Sequence, residues 1–210
     1  MNRFVKLMLM TSSIVAILGI LLIVAGAITG ADMGLRVRSS GIEIIEAQKV
    51  KDTNLNLEEF HSIDVDLSYA DIIIEKGSDY GIELIYHESK YVPEYSISQG
   101  VLFVTDNSQG EGFYNYLNLD MTFGLEKSKV VIYLPYENLV EAYDINVDSG
   151  TTNITVSGSN MDYSIDAGTG IGIVKIDGRI KGFDYKDIVP EAEKTIAIQN
   201  NIGTANIFFE

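Results

Sequence analysis

Ile145-Asn-Val-Asp-Ser-Gly-Thr-Thr-Asn-Ile-Thr-Val156 holds two short alternating strands bent around a polar Ser-Gly-Thr-Thr-Asn corner. The form recurs three times: Ile63-Asp-Val-Asp-Leu-Ser-Tyr-Ala-Asp-Ile-Ile-Ile74, Ile165-Asp-Ala-Gly-Thr-Gly-Ile-Gly-Ile-Val174 and Ile198-Gln-Asn-Asn-Ile-Gly-Thr-Ala-Asn-Ile207. The nearest echo sets Gly150-Thr-Thr-Asn-Ile154 against Gly203-Thr-Ala-Asn-Ile207. A repeated strand–corner–strand unit marks stacked β architecture, in which each unit buries its apolar edge against a neighbour. The expected fold class is all-β, a β-solenoid or β-roll-like stack over residues 60–210.

Composition agrees with strands. Apolar residues make up 46% of the chain, enough for a packed core. Ile leads that share, and Val and Tyr are frequent, types that suit a pleated, half-buried surface. Glycine, at 19, supplies corners, while only 3 prolines interrupt the ladders. With no cysteine there is no disulfide, thiol nucleophile or zinc–thiolate site.

Charge separates the chain into two parts. Residues 1–30 carry Arg3 and Lys6 and no acid, which leaves 13 basic against 30 acidic residues beyond, a net of −17. That balance disfavours nucleic acid and anionic lipid headgroups and favours cations, cationic peptides or a basic protein face. Acid also keeps a β-rich domain soluble and its edges unpaired.

Leu7–Ile28 is apolar apart from Thr11, Ser12, Ser13 and two glycines, and contains no charge. As a helix it is long enough to cross a hydrocarbon core of roughly 30 Å. Arg3 and Lys6 place the N-terminus in the cytoplasm and the remainder outside, so the expectation is a single-pass protein of the cell membrane. A cleaved signal peptide is the alternative, with Ile14–Val24 as its apolar region and Ala25-Gly-Ala27 offering small residues. The apolar run exceeds the usual length of such a region, which favours a retained anchor. Residues 31–59 read as a polar juxtamembrane stalk in which Ile42–Gln48 fits a short helix, with a short strand as the alternative.

From Phe60 the period changes to two. Ile63, Val65 and Leu67 alternate with Asp64, Asp66 and Ser68. Tyr95–Ser98, a Gln99-Gly100 turn and Val101–Thr105 predict a hairpin. Val130–Leu134 forms a strand stopped by Pro135. Two stretches break the rhythm: Asp106–Lys129, and Gly182–Lys194, expected as a loop or short helix inserted in the stack. Inserts on a regular scaffold are where binding usually resides.

Several of these segments resemble the putative-adhesin family of bacterial cell-envelope proteins, which includes LiaG-like proteins. The matching residues are Phe60-His-Ser-Ile63, Asp71-Ile-Ile-Ile74, Val131-Ile-Tyr-Leu-Pro135, Asp148-Ser-Gly150 with Asn153-Ile-Thr-Val156, Asp166-Ala-Gly168 and Gly203–Ile207. The resemblance covers roughly Glu58–Glu210 and rests on repeat shape. It implies a β-solenoid or β-roll on one membrane helix and adds little about mechanism.

Catalytic signatures are lacking. A hydrolytic triad needs a base beside its nucleophile, and His61 and His87 are the only histidines. Ser62 follows His61, but neighbouring strand residues point to opposite faces. Gly168-Thr-Gly-Ile-Gly172 lacks a following helix and reads as a repeat corner, not a nucleotide loop. The expectation is a non-enzyme without a resident cofactor. Carboxylates are the more serious case: Asp148 and Asp166 are expected at equivalent corners of successive rungs, about 5 Å apart, where calcium is a candidate bridge. The calcium repeat Gly-Gly-x-Gly-x-Asp is absent, however, and acids at corners also cap turns through their own backbone. Phe113, Tyr114 and Tyr116, on a glycine-flanked insert, are the candidate contacts for a protein or glycan at the cell surface. The functional expectation is a non-catalytic binding module, a putative adhesin. The alternative is a membrane-bound sensor or scaffold of an envelope-stress response, which would need its Leu7–Ile28 helix to reach a membrane partner.

Overall fold

The computed structural model describes residues 8, 11–15, 17–19, 33–38, 41–46, 49–87, 92–106, 121–123, 127–135 and 140–210. They fall into two compact units, Met1–Ala47 with Asn118–Leu125, and Gln48–Leu117 with Glu126–Glu210.

In the first unit, β1 (Met33–Arg38) pairs antiparallel with β2 (Gly41–Glu46) and with β8 (Met121–Phe123). The short helix expected at Ile42–Gln48 is therefore a strand over Gly41–Glu46. Three isoleucines in Gly-Ile-Glu-Ile-Ile-Glu favour a pleated backbone, and β1 supplies the ladder. The stalk expected over 31–59 is likewise not plain linker, since β3 (Lys49–Asn54) belongs to the sheet of the second unit. Of the proposed Leu7–Ile28 span, Met8, Thr11–Val15 and Ile17–Gly19 are helical. Among the described residues no helix is long and apolar enough to cross a membrane, and the rest of that span lies outside them.

The second unit is built on four long strands: β4 (Ser62–Lys76), β10 (Ala142–Val156), β11 (Tyr163–Ile176) and β14 (Lys194–Phe209). In β4 the buried apolar residues are Ile63, Val65 and Leu67, then Ala70, Ile72 and Ile74. The switch from odd to even positions at Ser68–Tyr69 is what a corner requires. One extra residue lets both arms turn their apolar side chains to a shared interior, although successive residues alternate faces. The same switch falls between Val147 and Gly150 in β10, and between Asn200 and Ala205 in β14. The arms differ in their neighbours. The first arm of β4 pairs with β7 (Val101–Asp106), which pairs with β6 (Pro93–Ser98). Its second arm pairs with β9 (Ser128–Leu134), followed by β5 (Gly81–His87) and then β3. Two leaves thus diverge from one bent stack, and one continuous apolar cluster fills the space they share. Each isoleucine buried there contributes about 1.5–3 kcal/mol.

The four strands run parallel in one register, in the spatial order β4, β10, β14, β11. The all-β expectation holds, but the rungs do not follow the chain. β14 lies between β10 and β11, whereas a progressive winding would set β11 directly on β10. The sequence echo explains the neighbour: Gly150, Thr151, Asn153 and Ile154 stand opposite Gly203, Thr204, Asn206 and Ile207. Asn206 donates its side-chain amide to Asn153 Oδ1 at 2.7 Å.

The corner itself is made by glycine. Ala70, Gly150, Gly203 and Gly172 form one column across the stack. A Cβ at Gly150 would fall on the carbonyl oxygen of Ala70, one at Gly203 on that of Gly150, and one at Gly172 on that of Gly203. Gly203 also has φ +148. The Gln99-Gly100 hairpin is as expected, both residues having positive φ (52 and 75) as a type I′ turn demands. Gly182–Lys194, in contrast, is neither loop nor helix throughout. β12 (Arg179–Gly182) and β13 (Asp184–Asp187) both pair antiparallel with β11. The missed signal is Asp177-Gly178, with φ 49 and 74, a second type I′ turn.

Gly150→Ala or Gly203→Ala should lower the stability of the chain by about 3 kcal/mol or more, because backbone, not a flexible side chain, must give way. Urea unfolding checks this; an unchanged midpoint would show that the corner is not tightly closed.

Candidate functional site

Two polar layers lie at the corner, one inside and one outside. Inside, Thr152 and Asn200 are fully buried. Thr152 Oγ1 donates to Asn200 Oδ1 at 3.0 Å, and Asn200 Nδ2 donates to the Thr204 carbonyl at 3.0 Å. Thr169, also buried, donates to the Phe183 carbonyl at 3.2 Å. A buried amide must be satisfied to be tolerated, and these bonds satisfy it while holding the corner strands in register. Asp106 serves the same end at the edge, accepting the Ser68 N–H at 2.7 Å, and Asp71 accepts the Thr151 N–H at 2.7 Å.

Outside, the first arm carries an acidic face. Register places Asp64 of β4 beside Asp144 of β10, and Asp66 beside Asn146. Adjacent strands lie about 4.8 Å apart, so Asp64 and Asp144 are side by side on one face. Asn146 donates to Asp66 Oδ1 at 3.1 Å. Burial, then the Asp144 charge and then that of Asp66, raise the Asp64 carboxyl above its ordinary 3.8. Among the described residues, no Lys or Arg ion-pairs with Asp64, Asp66 or Asp144. The charged pairs there are Lys51–Glu83, Lys76–Glu210, Lys127–Asp71 and Lys186–Asp166.

The residues singled out from sequence are not brought together. Asp148 and Asp166 lie on β10 and β11, with β14 between them. Asp166 stands in register with Ala197, and Ala197 with Asp144, so Asp166 belongs to the row of Asp64 and Asp144, four residues before the Asp148 corner. The displacement arises because the corner of β11 is Gly170-Ile171, not the Asp166-Ala-Gly stretch. Each acid also has its own partner: Asn201 donates to Asp148 Oδ1 at 2.6 Å, and Lys186 pairs with Asp166 at 2.5 Å. The geometry for a calcium bridge between them is thus lacking, and no group of three His, Cys, Asp or Glu converges among the described residues. Phe113, Tyr114 and Tyr116 lie outside the described residues. The sequence reading missed Asp144, although Tyr143-Asp-Ile145 repeats the form of Ile63-Asp-Val65 at the same distance before the corner.

His61 and Ser62 depart from expectation: His61 Nδ1 lies 3.1 Å from Ser62 Oγ. The two residues stand at the mouth of β4, where the His61 and Ser62 amides both donate to the Gly100 carbonyl. That local bend brings adjacent side chains within reach, and the imidazole packs on the Gly100 turn.

Neither a family model nor a characterised protein sequence matches the chain. Solved structures do. A putative cell adhesion protein from Clostridium sporogenes ATCC 15579 shares 12% identity at a TM-score of 0.35, over 78% of this chain and 100% of that one. A putative adhesin from Parabacteroides distasonis ATCC 8503 shares 10% at 0.38, over 78% and 57%. Another putative adhesin, from Bacteroides fragilis NCTC 9343, shares 9% at 0.28, over 78% and 97%.

The Asp64 shift has a definite sign. An acid whose carboxyl is raised on folding holds its proton more tightly in the native state, so it costs stability as pH climbs past 3.8. Asp64→Asn should therefore raise the thermal midpoint at pH 7, and the gain should vanish near pH 3, where both forms are neutral. A midpoint at pH 7 that is unchanged or lower than wild type would show that the acids do not repel. Asn200→Ala should lower stability by about 1–3 kcal/mol in chemical denaturation, since it strands the Thr152 hydroxyl in the core.

Proposed function

We propose that the chain is a membrane-tethered, non-catalytic binding module of the cell envelope, an adhesin-like domain on a bent β scaffold. In this reading Leu7–Ile28 is a single-pass anchor with the N-terminus cytoplasmic, and the second unit is presented outside. The observation that supports it best is the unneutralised Asp64–Asp66–Asp144 face. Like charges set side by side on a rigid sheet cost stability, and a basic protein surface or cationic peptide recovers that cost on binding. The scaffold favours binding over chemistry, because the acids at the corner, Asp71, Asp106 and Asp148, are spent on backbone and amide contacts. The insert with Phe113, Tyr114 and Tyr116 provides a second contact in the same reading, toward protein or glycan.

The test uses the full chain in a nonionic detergent, with an oligolysine peptide as probe. Wild type should bind it, and Asp64→Asn/Asp66→Asn/Asp144→Asn should weaken binding roughly tenfold, with a shallower salt dependence. Equal binding by the triple variant would remove the acidic face from the proposal. A Phe113→Ala/Tyr114→Ala/Tyr116→Ala chain, tested against cell-envelope material, examines the insert separately.

In the sensor reading, Leu7–Ile28 reaches a membrane partner and the second unit acts through it. Replacing Leu7–Ile28 with an unrelated anchor separates the two. Activity that survives the exchange supports the adhesin-like module, and activity that is lost while the ectodomain still binds supports the sensor.

A further inference from the structure

At the β11 end of the stack the interior changes character. Register sets Arg179 of β12 against Ile176, and Tyr185 of β13 against Ala167. Positions that hold isoleucine and alanine in the rungs thus continue outward as Arg179 and Tyr185, and Lys181 falls at the register shift of β12. These three, with Asn160, Ile176 and Asp177, line a shallow cleft of about 270 Å³. Lys181 Nζ lies 4.9 Å from the centre of the Tyr185 ring. Neither Arg179 nor Lys181 has a carboxylate within ion-pairing distance among the described residues. The one acid in the cleft is engaged, since Asp177 Oδ1 accepts the Phe209 N–H at 3.0 Å.

Arg179 and Lys181 set two cations in one cleft beside a single acid, Asp177, in a region with a net of −17. We propose that this cleft is an oxyanion site that takes a phosphate group, held by the Arg179 guanidinium, the Lys181 ammonium and the Asn160 amide. The donors match that chemistry. A guanidinium offers a planar fork to two oxygens, lysine adds a point charge, and neither can accept a hydrogen bond. The Asp177-Gly178 turn holds Arg179 directly across from Ile176, at the rim of the cleft. A volume at the small end of ligand pockets suits one charged group, not a whole cofactor. The acidic region around it selects against extended nucleic acid while leaving a compact anion favourable at short range. The phosphate can come from a small phosphate ester or from a phosphodiester polymer. This site is independent of the Asp64–Asp144 face and carries the opposite charge.

Charges that point inward at a sheet end also prevent edge-to-edge pairing, so the experiment separates the two roles. The full chain in nonionic detergent is titrated at constant ionic strength with inorganic phosphate and with a glycerol-phosphate oligomer, followed by NMR. Saturable shifts centred on Arg179 Nε, Lys181, Asn160 and Tyr185 are expected. Arg179→Gln/Lys181→Gln should weaken binding by roughly tenfold or more, whereas Arg179→Lys should retain part of it. Lys51→Gln/Lys129→Gln removes the same charge elsewhere and should leave binding unchanged. Tighter binding of the oligomer at equal phosphate concentration supports the polymer source, and equal binding supports the small ester. Shifts that never saturate, or an equal loss in the Lys51→Gln/Lys129→Gln control, overturn the proposal. So does a wild type that binds no phosphate beside a double variant that self-associates, which assigns the pair to guarding the edge.

Discussion

Close contact of backbone with backbone at the corner governs the architecture. A strand that turns there without losing its ladder must bring its carbonyls against the next strand, and Gly150, Gly203 and Gly172 leave no side chain in the way. Once that column is closed, the parity of burial changes on its two sides, and Ile63, Tyr143 and Ile196 face the same interior as Ile74, Ile154 and Ile207. The first strand of the stack tolerates alanine at this position because Ala70 contributes only its carbonyl to Gly150. The buried Thr152–Asn200 bond lies beside the column and adds direction to packing that is otherwise apolar. Hydrophobic burial supplies the driving force, and the glycine column decides where the chain bends.

Charge is arranged on this frame by row. One row outside the first arm gathers Asp64 and Asp144, and farther along Asp166, which Lys186 offsets. Around the corner, Asp148, Asp71 and Asp106 stand at different register positions and serve as hydrogen-bond acceptors for the neighbouring strand. The same residue type therefore does different work according to register. Acids that accept backbone or amide bonds stabilise the bend, whereas acids left side by side store repulsion that a basic partner can relieve.

Much of this was legible in the sequence. The period of two from Phe60, the Gln99-Gly100 hairpin and the recurring corners follow from alternation and turn chemistry, which are local. Strand order is not local. It had to be read from which units resemble each other, and Gly150–Ile154 with Gly203–Ile207 contained that information without chain order revealing it. Aligning the units on Asp-x-Gly rather than on the glycine column moved Asp166 four residues from its true row and concealed Asp144. Residues 182–194 were misread for a different reason: their strands are short, charged and exposed, so periodicity is faint and only Asp177-Gly178 announces the hairpin.

The position of β14 has a consequence for how the molecule comes into being. β10 meets β14 across 53 residues of chain, and β4 meets β10 across 80, separations that make closure slow compared with local hairpins. During synthesis, β10 and β11 emerge before the strand that joins them. Until β14 enters, two unsatisfied parallel edges remain open, and neither can be completed by a nearer segment. Assembly of the stack is therefore a late insertion and not a stepwise winding, and the interval before it is when the chain is most exposed to pairing with a neighbour.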